Sequence, residues 1–506
     1  MSARRDQSAP SEQERPQATV LVASNRGPAS YSLSDDGSLS IKRGGGGLVS
    51  GLSAIGGADG TVWVCAALGE GDREAARRAP GGRLDHLAEE SARTDQPVRM
   101  LDIDAGTFTR AYNGIANSTL WFVHHLLYDT PVKPVFDDRF RKEWDSYQAY
   151  NRAFAEALAA EAAPGATVLI QDYHLTLTPH QLRELRPDLR IGHFSHTPWA
   201  PPDYYRLLPD RVAAQVLEGV LGADRAAFLT RRWARTFADC CEAVLGAEVV
   251  DPGPDGGDLT IRHQGREVRI GVHGLGADAE FLRDRAHQPD VDSRLAGLRT
   301  SVGTGPDGRP RRTIVRVDRT ELSKNIVRGL LAYRHLLRTR EEWRGRVVHI
   351  AFAYPSRHDL PEYREYTAAV QRLAAEINDE FGTADWQPLL LHVDDDFPRS
   401  LAAYRLADVA LVNPIRDGMN LVAKEVPVVS DEGCALVLSR EAGAAAELAE
   451  DSVMVNPYDV IATADALDAA LNMPAGERAE RCKRLAAAAT ALPPQRWFLD
   501  QLEALR

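Results

Sequence analysis

VALVNPIRDGMNLVAKE, residues Val409 to Glu425, passes from a continuous apolar run through a tight acidic loop into the start of a helix. A short β-branched run without alternation reads as a strand buried on both faces, and so as part of a parallel sheet covered by helices. A Gly-containing loop between such a strand and a helix leaves amides unpaired at the positive end of the helix dipole, where a phosphate fits. Glu425, further along that helix, is placed to accept from the two hydroxyls of a ribose. Alone, the same pattern also describes an ordinary crossover.

Similar runs recur along the chain. A first series is Thr19 to Asn25, Val62 to Leu68, Ala166 to Asp172, Arg190 to His196 and Val268 to Gly276. A second is Thr313 to Arg319, Val347 to Pro355, Leu389 to Asp394, Val409 to Pro414 and Ala435 to Arg440, with amphipathic stretches such as Tyr363 to Phe381 between them. Strands alternating with helices predict an α/β chain of two Rossmann-like, doubly wound domains that face each other across a cleft. The stretch from His287 to Arg312, rich in Gly, Pro, Asp and Arg and without periodicity, predicts the connection between them. The expected division is a disordered tail over 1–17, domains over 18–285 and 286–484, and a C-terminal helix over 485–506, within the helical pattern from Glu477 to Arg506.

Composition excludes several classes of function. A chain of 506 residues, 44% of them hydrophobic, can bury two or three cores. With 60 basic against 72 acidic residues and a net charge of −12, it offers no nucleic-acid-binding surface. No run is long enough to span a membrane, and Met1 to Gln17 has no apolar core of the kind a signal peptide carries. Five cysteines, at 65, 240, 241, 434 and 482, lack metal or redox spacing, which predicts a reducing cytoplasm. A homo-oligomer is the default expectation.

Unusual polar clusters follow the strands, where doubly wound folds hold ligands. Ser24-Asn25-Arg26-Gly27-Pro28 follows the first, and Arg43-Gly44-Gly45-Gly46-Gly47-Leu48 comes next. Four glycines let a backbone approach a phosphate closely, and they equally suit a mobile surface turn. Asp172 and His196 end two strands that should be neighbours, so they could converge on one polar ligand. Arg319-Thr320-Glu321-Leu322-Ser323-Lys324 places two cations five residues apart, a pair suited to holding a diphosphate as negative charge builds on it.

Together SNRGP with GGGGL, Tyr112-Asn113 with Trp121, DYH, HTPW, RTELSK, Ser356-Arg357, RDGMNLVAKE and LVLSREAGAA resemble the trehalose-6-phosphate synthase family, in order from about Val20 onward. The resemblance implies a glycosyltransferase of the two-Rossmann GT-B architecture. Such an enzyme needs no metal or cofactor and transfers glucose from a sugar nucleotide to glucose 6-phosphate with retention at the anomeric carbon. Carried over residue by residue, Arg319 and Lys324 hold the donor diphosphate with Gly46, Gly47 and the amides near Asn420 and Leu421. Glu425 takes the ribose, His196 and Asp417 the donor glucose, and Asp172 lies between donor and acceptor. Arg26, Tyr112, Trp121 and Arg357 form the acceptor pocket. The family's retention is explained by front-face attack, the leaving diphosphate taking the acceptor's proton.

One segment departs from the family's common pattern. Where many members carry basic and aromatic residues near the donor base, this chain has Leu391-His392-Val393-Asp394-Asp395-Asp396. A carboxylate can accept from both the N1–H and the 2-amino group of guanine, whereas uracil offers one N–H on that edge. Asp394 and Asp395 therefore favour GDP-glucose over UDP-glucose, unless they belong to a solvated turn. Two other functions compete: a pseudo-glycosyltransferase of the validoxylamine phosphate type, and a non-catalytic sugar-phosphate sensor. The intact MNLVAKE stretch speaks against the first. Retention of Arg319, Lys324 and Glu425 speaks against the second.

Overall fold

The computed structural model describes residues 17–43, 60–94, 96–253 and 257–506. The candidate phosphate cradle at Gly46 and Gly47 and most of the N-terminal tail lie outside them. The strands, in chain order, are β1 (Ala18–Ala23), β2 (Ala29–Leu33), β3 (Leu39–Arg43), β4 (Thr61–Ala66), β5 (Val98–Leu101), β6 (Ala162–Gln171), β7 (Arg190–Ser195), β8 (Arg225–Phe228), β9 (Glu248–Val250), β10 (Leu259–His263) and β11 (Arg266–Val272). They continue as β12 (Arg312–Arg319), β13 (Val347–Tyr354), β14 (Leu389–His392), β15 (Val409–Val412), β16 (Ala435–Ser439) and β17 (Val453–Val455).

Nine of these form one sheet in the order β5-β4-β1-β6-β7-β8-β11-β10-β9, and six form a second in the order β14-β13-β12-β15-β16-β17. The second sheet is parallel throughout. The first is parallel from β5 to β11 and turns antiparallel at its β10 and β9 edge. Its central strands carry almost no exposed surface because helices cover both faces, which is why they read as unbroken apolar runs.

Strand order places the crevices. In the first sheet the chain winds outward from β1 through β4 to β5, then crosses to β6 on the other side of β1. In the second it winds from β12 to β14, then returns to β15 beside β12. The carboxyl ends of β1 and β6, and of β12 and β15, therefore flank the two switch points. Asp172 follows β6, Arg319 ends β12, and Asp417 follows β15.

Two expectations about elements need correction. The 287–312 stretch is not irregular, because Pro289–Val302 is helical within it. Pro289 occupies the first helical turn, where its missing N–H costs nothing, so a residue that reads as a breaker opens the helix. The last segment is two helices, Ala475–Thr490 and Pro494–Glu503, parted at Leu492-Pro493. The second crosses to the first sheet. Buried Trp497 meets Phe194 of β7 edge-on at 4.9 Å, and Gly276 and Ala277 donate backbone hydrogen bonds to Leu492 and Ala489 at 2.7 and 2.8 Å. Among the described residues no helix is long and apolar enough to cross a membrane.

Candidate active site

Between β12 and β15 the second sheet opens into a cavity of about 240 Å³. Arg319, Lys324, Asn420, Leu421 and Glu425 line it, joined by Tyr354, Asp395 and Tyr404. Lys324 Nζ donates to Asp417 Oδ2 at 2.6 Å, and Asn420 Nδ2 reaches the same oxygen at 3.2 Å. Burial works against the Lys324 charge. Asp417, Asp318 and Glu321 outweigh it and hold the ammonium above its ordinary range. Arg319 is different: its side chain is 55% exposed and, among the described residues, pairs with Glu321 alone at 3.0 Å, which leaves its guanidinium room for an incoming anion.

The loop after β15 is shaped for an anion. Asn420 has φ +75, a left-handed conformation that is uncommon for residues other than glycine. No acceptor within the described residues faces the amides of Asn420 and Leu421, and the helix Val422–Val429 begins at the next residue. Glu425 lies on that helix and is partly buried, with Tyr404 Oη donating to it at 3.3 Å. Burial raises its pKa.

Across the cleft, Asp172 and His196 do converge, since β6 and β7 are neighbours in register. The His196 amide donates to Asp172 Oδ1 at 3.2 Å. His196 Nε2 lies 3.0 Å from the side-chain amide of Gln171, which fixes the plane of the imidazole. Burial lowers the His196 pKa to about 4 and raises that of Asp172 to about 6. Asp172 also sits at φ +73, the kind of local strain that clusters at functional sites.

The acceptor candidates gather around His174. Tyr112 stacks on its ring at 5.6 Å, and Tyr173 lies over it at 4.0 Å. Burial, Arg357 and Arg26 together lower the His174 pKa to about 3. Arg357 packs on Trp121 at 4.1 Å and donates to the hydroxyls of Tyr363 at 2.7 Å and Tyr173 at 3.1 Å, spanning the two sheets. With His125 also lowered, chiefly by burial, the arginines carry the positive charge here near neutral pH.

Asp394 and Asp395 are both exposed; Asp395 lines the cavity, Asp394 is outside its lining, and Asp396 caps the helix Phe397–Leu406 and pairs with Arg294 at 2.8 Å. The turn into that helix divides the three aspartates between cavity, cap and surface.

Three residues without an assigned role prove central. Glu321 is fully buried and receives Ser356 Oγ and Arg319 at 3.0 Å each on Oε1, while Oε2 has no hydrogen-bond partner among the described residues. Although burial opposes its charge, Arg319, Arg357 and Lys324 bring its pKa down to about 2. Its place between the two cations of RTELSK was the available sign. Arg416 and Trp233 join the lobes: Arg416 donates to the Trp199 carbonyl and Trp233 Nε1 to that of Gly418, each at 2.9 Å. No local pattern marks a contact across 185 residues. Gly418 is pressed so closely on β7's end that a Cβ there would collide with the His196 carbonyl. Among the described residues no cluster of three or more His, Cys, Asp or Glu side chains could hold a metal ion.

Residues 18–506 match the model of glycosyltransferase family 20. The trehalose-6-phosphate synthase of Mycobacterium avium is 35% identical over 493 residues, covering 96% of this chain and 94% of its own. An E. coli structure bound with UDP-2-fluoro glucose superposes with a TM-score of 0.80 at 27% identity, over 96% of this chain and 98% of the other. The UDP-forming alpha,alpha-trehalose-phosphate synthase from Burkholderia xenovorans, in complex with glucose-6-phosphate, gives 0.80 at 25% identity over 97% and 100%.

Proposed function

The chain belongs to glycosyltransferase family 20, and from that premise we propose that it is a trehalose-6-phosphate synthase, moving glucose from a nucleoside diphosphate glucose to glucose 6-phosphate with retention. The observation that carries the reading is the presence of two groups of cations in one cleft. Arg319 and Lys324 stand at the β12–β15 crevice, and Arg357, from the loop after β13, reaches over Trp121 of the first lobe. Two phosphorylated substrates need two such groups, and a single-ligand sensor needs one. The reading assigns the acceptor to residues 18–285 with Arg357 reaching in from the second lobe, the nucleotide sugar to 286–484, and closure between them to 485–506.

In this mechanism the acceptor hydroxyl attacks the anomeric carbon as its bond to the diphosphate oxygen breaks. The proton passes to the departing diphosphate, and Arg319 and Lys324 stabilise the charge that grows there. His196 and Asp417 orient the donor sugar's hydroxyls, and Asp172 borders the space between the substrates. Catalysis then comes from orientation and charge stabilisation.

For the donor base we favour guanine, supported by Asp395 on the cavity wall, where a carboxylate can accept two hydrogen bonds from guanine. UDP-glucose is the competing donor, given the UDP-forming relative. The deciding assay supplies glucose 6-phosphate with equal concentrations of GDP-glucose and UDP-glucose and follows trehalose 6-phosphate together with nucleotide release. Nucleotide release without that product overturns the function. An unchanged donor ratio in Asp395→Ala overturns the base assignment alone.

A further inference from the structure

At the far end of the second sheet, where β12 and β15 begin, lies a second cavity of about 650 Å³. It is lined by seven arginines against three aspartates and one glutamate, a local surplus of positive charge on a chain of net charge −12. The length of β12, about 23 Å of strand, separates its first residue, Arg312, from its last, Arg319, at the donor crevice. Nothing in the proposed glucosyl transfer uses this cavity.

Its three aspartates are already committed, and Glu432 is exposed at its edge. Asp408 Oδ1 lies 2.6 Å from Arg312 and 3.1 Å from Arg478, while Oδ2 accepts from the Thr313 amide. Asp431 is held by Arg405 at 2.9 Å, and Asp307 by Arg346 at 2.7 Å. Two lining arginines, Arg299 and Arg309, form no ion pair within the described residues.

A buried side chain points the same way. Arg478 is only 4% exposed, yet its Nε has no hydrogen-bond acceptor among the described residues. Nη1 is ion-paired with Asp408 at 3.1 Å. Buried donors left unmade are rare and costly in native proteins. A buried guanidinium with an N–H left unmade, in a cavity also lined by two arginines without ion pairs among the described residues, suits the oxygens of a phosphate.

We propose that this cavity binds a phosphate ester of sugar or nucleotide size, at a site separate from the catalytic cleft. The volume falls within the range of small-molecule pockets and far exceeds that of inorganic phosphate. Arg478 would supply the buried contact, and Arg299 with Arg309 the exposed rim.

The test uses the full chain with Lys324→Ala and Arg357→Ala, which weaken anion binding in the cleft, titrated with inorganic pyrophosphate by calorimetry. One binding event should remain, and adding Arg299→Ala with Arg309→Ala should weaken it at least tenfold. No remaining event, or an affinity indifferent to those two exposed arginines, overturns the proposal. If the starting variant does not fold, crystals of the unmutated chain soaked in tungstate answer the same question. An anomalous peak among Arg299, Arg309 and Arg478 is expected, and its absence overturns the site.

Discussion

At Lys324 two roles can be separated by substitution. Lys324→Ala removes a cation from the donor crevice and leaves the Asp417 carboxylate partly buried without its partner. Turnover should fall about 10²–10³-fold, as on loss of one group that stabilises transition-state charge, and the melting temperature should fall too. Adding Asp417→Asn should recover stability but not rate, as a thermal scan and a turnover assay on the pair would reveal. Asp172 behaves in the opposite sense. Its folded-state pKa is raised to about 6 by burial, so the folded chain binds an extra proton between the ordinary carboxyl range and pH 6. Stability therefore declines as pH rises through that window. Asp172→Asn should be more stable than the parent above pH 6, by up to about 3 kcal/mol, with the gap closing below pH 4 and with turnover impaired. Denaturant melts at pH 4 and pH 8 measure the difference. These residues were legible because RTELSK, DYH and HTPW end apolar strands. The positive φ of Asp172 and the orphaned oxygen of Glu321 were not, since both arise from packing that a one-dimensional pattern does not carry.

At the scale of elements, the loop after β15 is where the lobes touch. Gly418→Ala should force that loop off the end of β7, because the added methyl meets the His196 carbonyl and no flexible side chain can give way. The expected cost is about 1–3 kcal/mol in stability and a fall in kcat/KM of about 10²-fold from misplaced groups, read by thermal unfolding and steady-state kinetics. Parallel strands such as β12 and β13 could be read directly, as buried Val- and Ile-rich runs. The strand β8, Arg-Ala-Ala-Phe, could not, since two alanines carry little strand preference. Nor could the β2–β3 hairpin, whose polar, exposed face lacks an apolar run.

Across the whole molecule, the lobes are held by Arg416 on Trp199, Arg232 on Glu441 at 2.6 Å, and the crossing helix Pro494–Glu503. Trp497 sits at 5.5 Å from His196, so the crossing helix supports a residue of the cleft as well as the first sheet. Trp497→Ala should cost about 3–5 kcal/mol and raise the donor KM through the loosened imidazole. A normal KM in a folded variant would reject that link. The two-lobed architecture was evident from the strand series, whereas the joint between lobes depends on contacts hundreds of residues apart.

That helix also sets a timetable for biosynthesis. Trp497 is made about three hundred residues after Phe194, which at ordinary elongation rates is roughly 15–60 s later. Through that interval the nascent first sheet holds an apolar strip awaiting its cover, and chaperones and neighbouring ribosomes meet it first. Slower decoding of the later codons would lengthen that hazard without altering one residue of the finished protein.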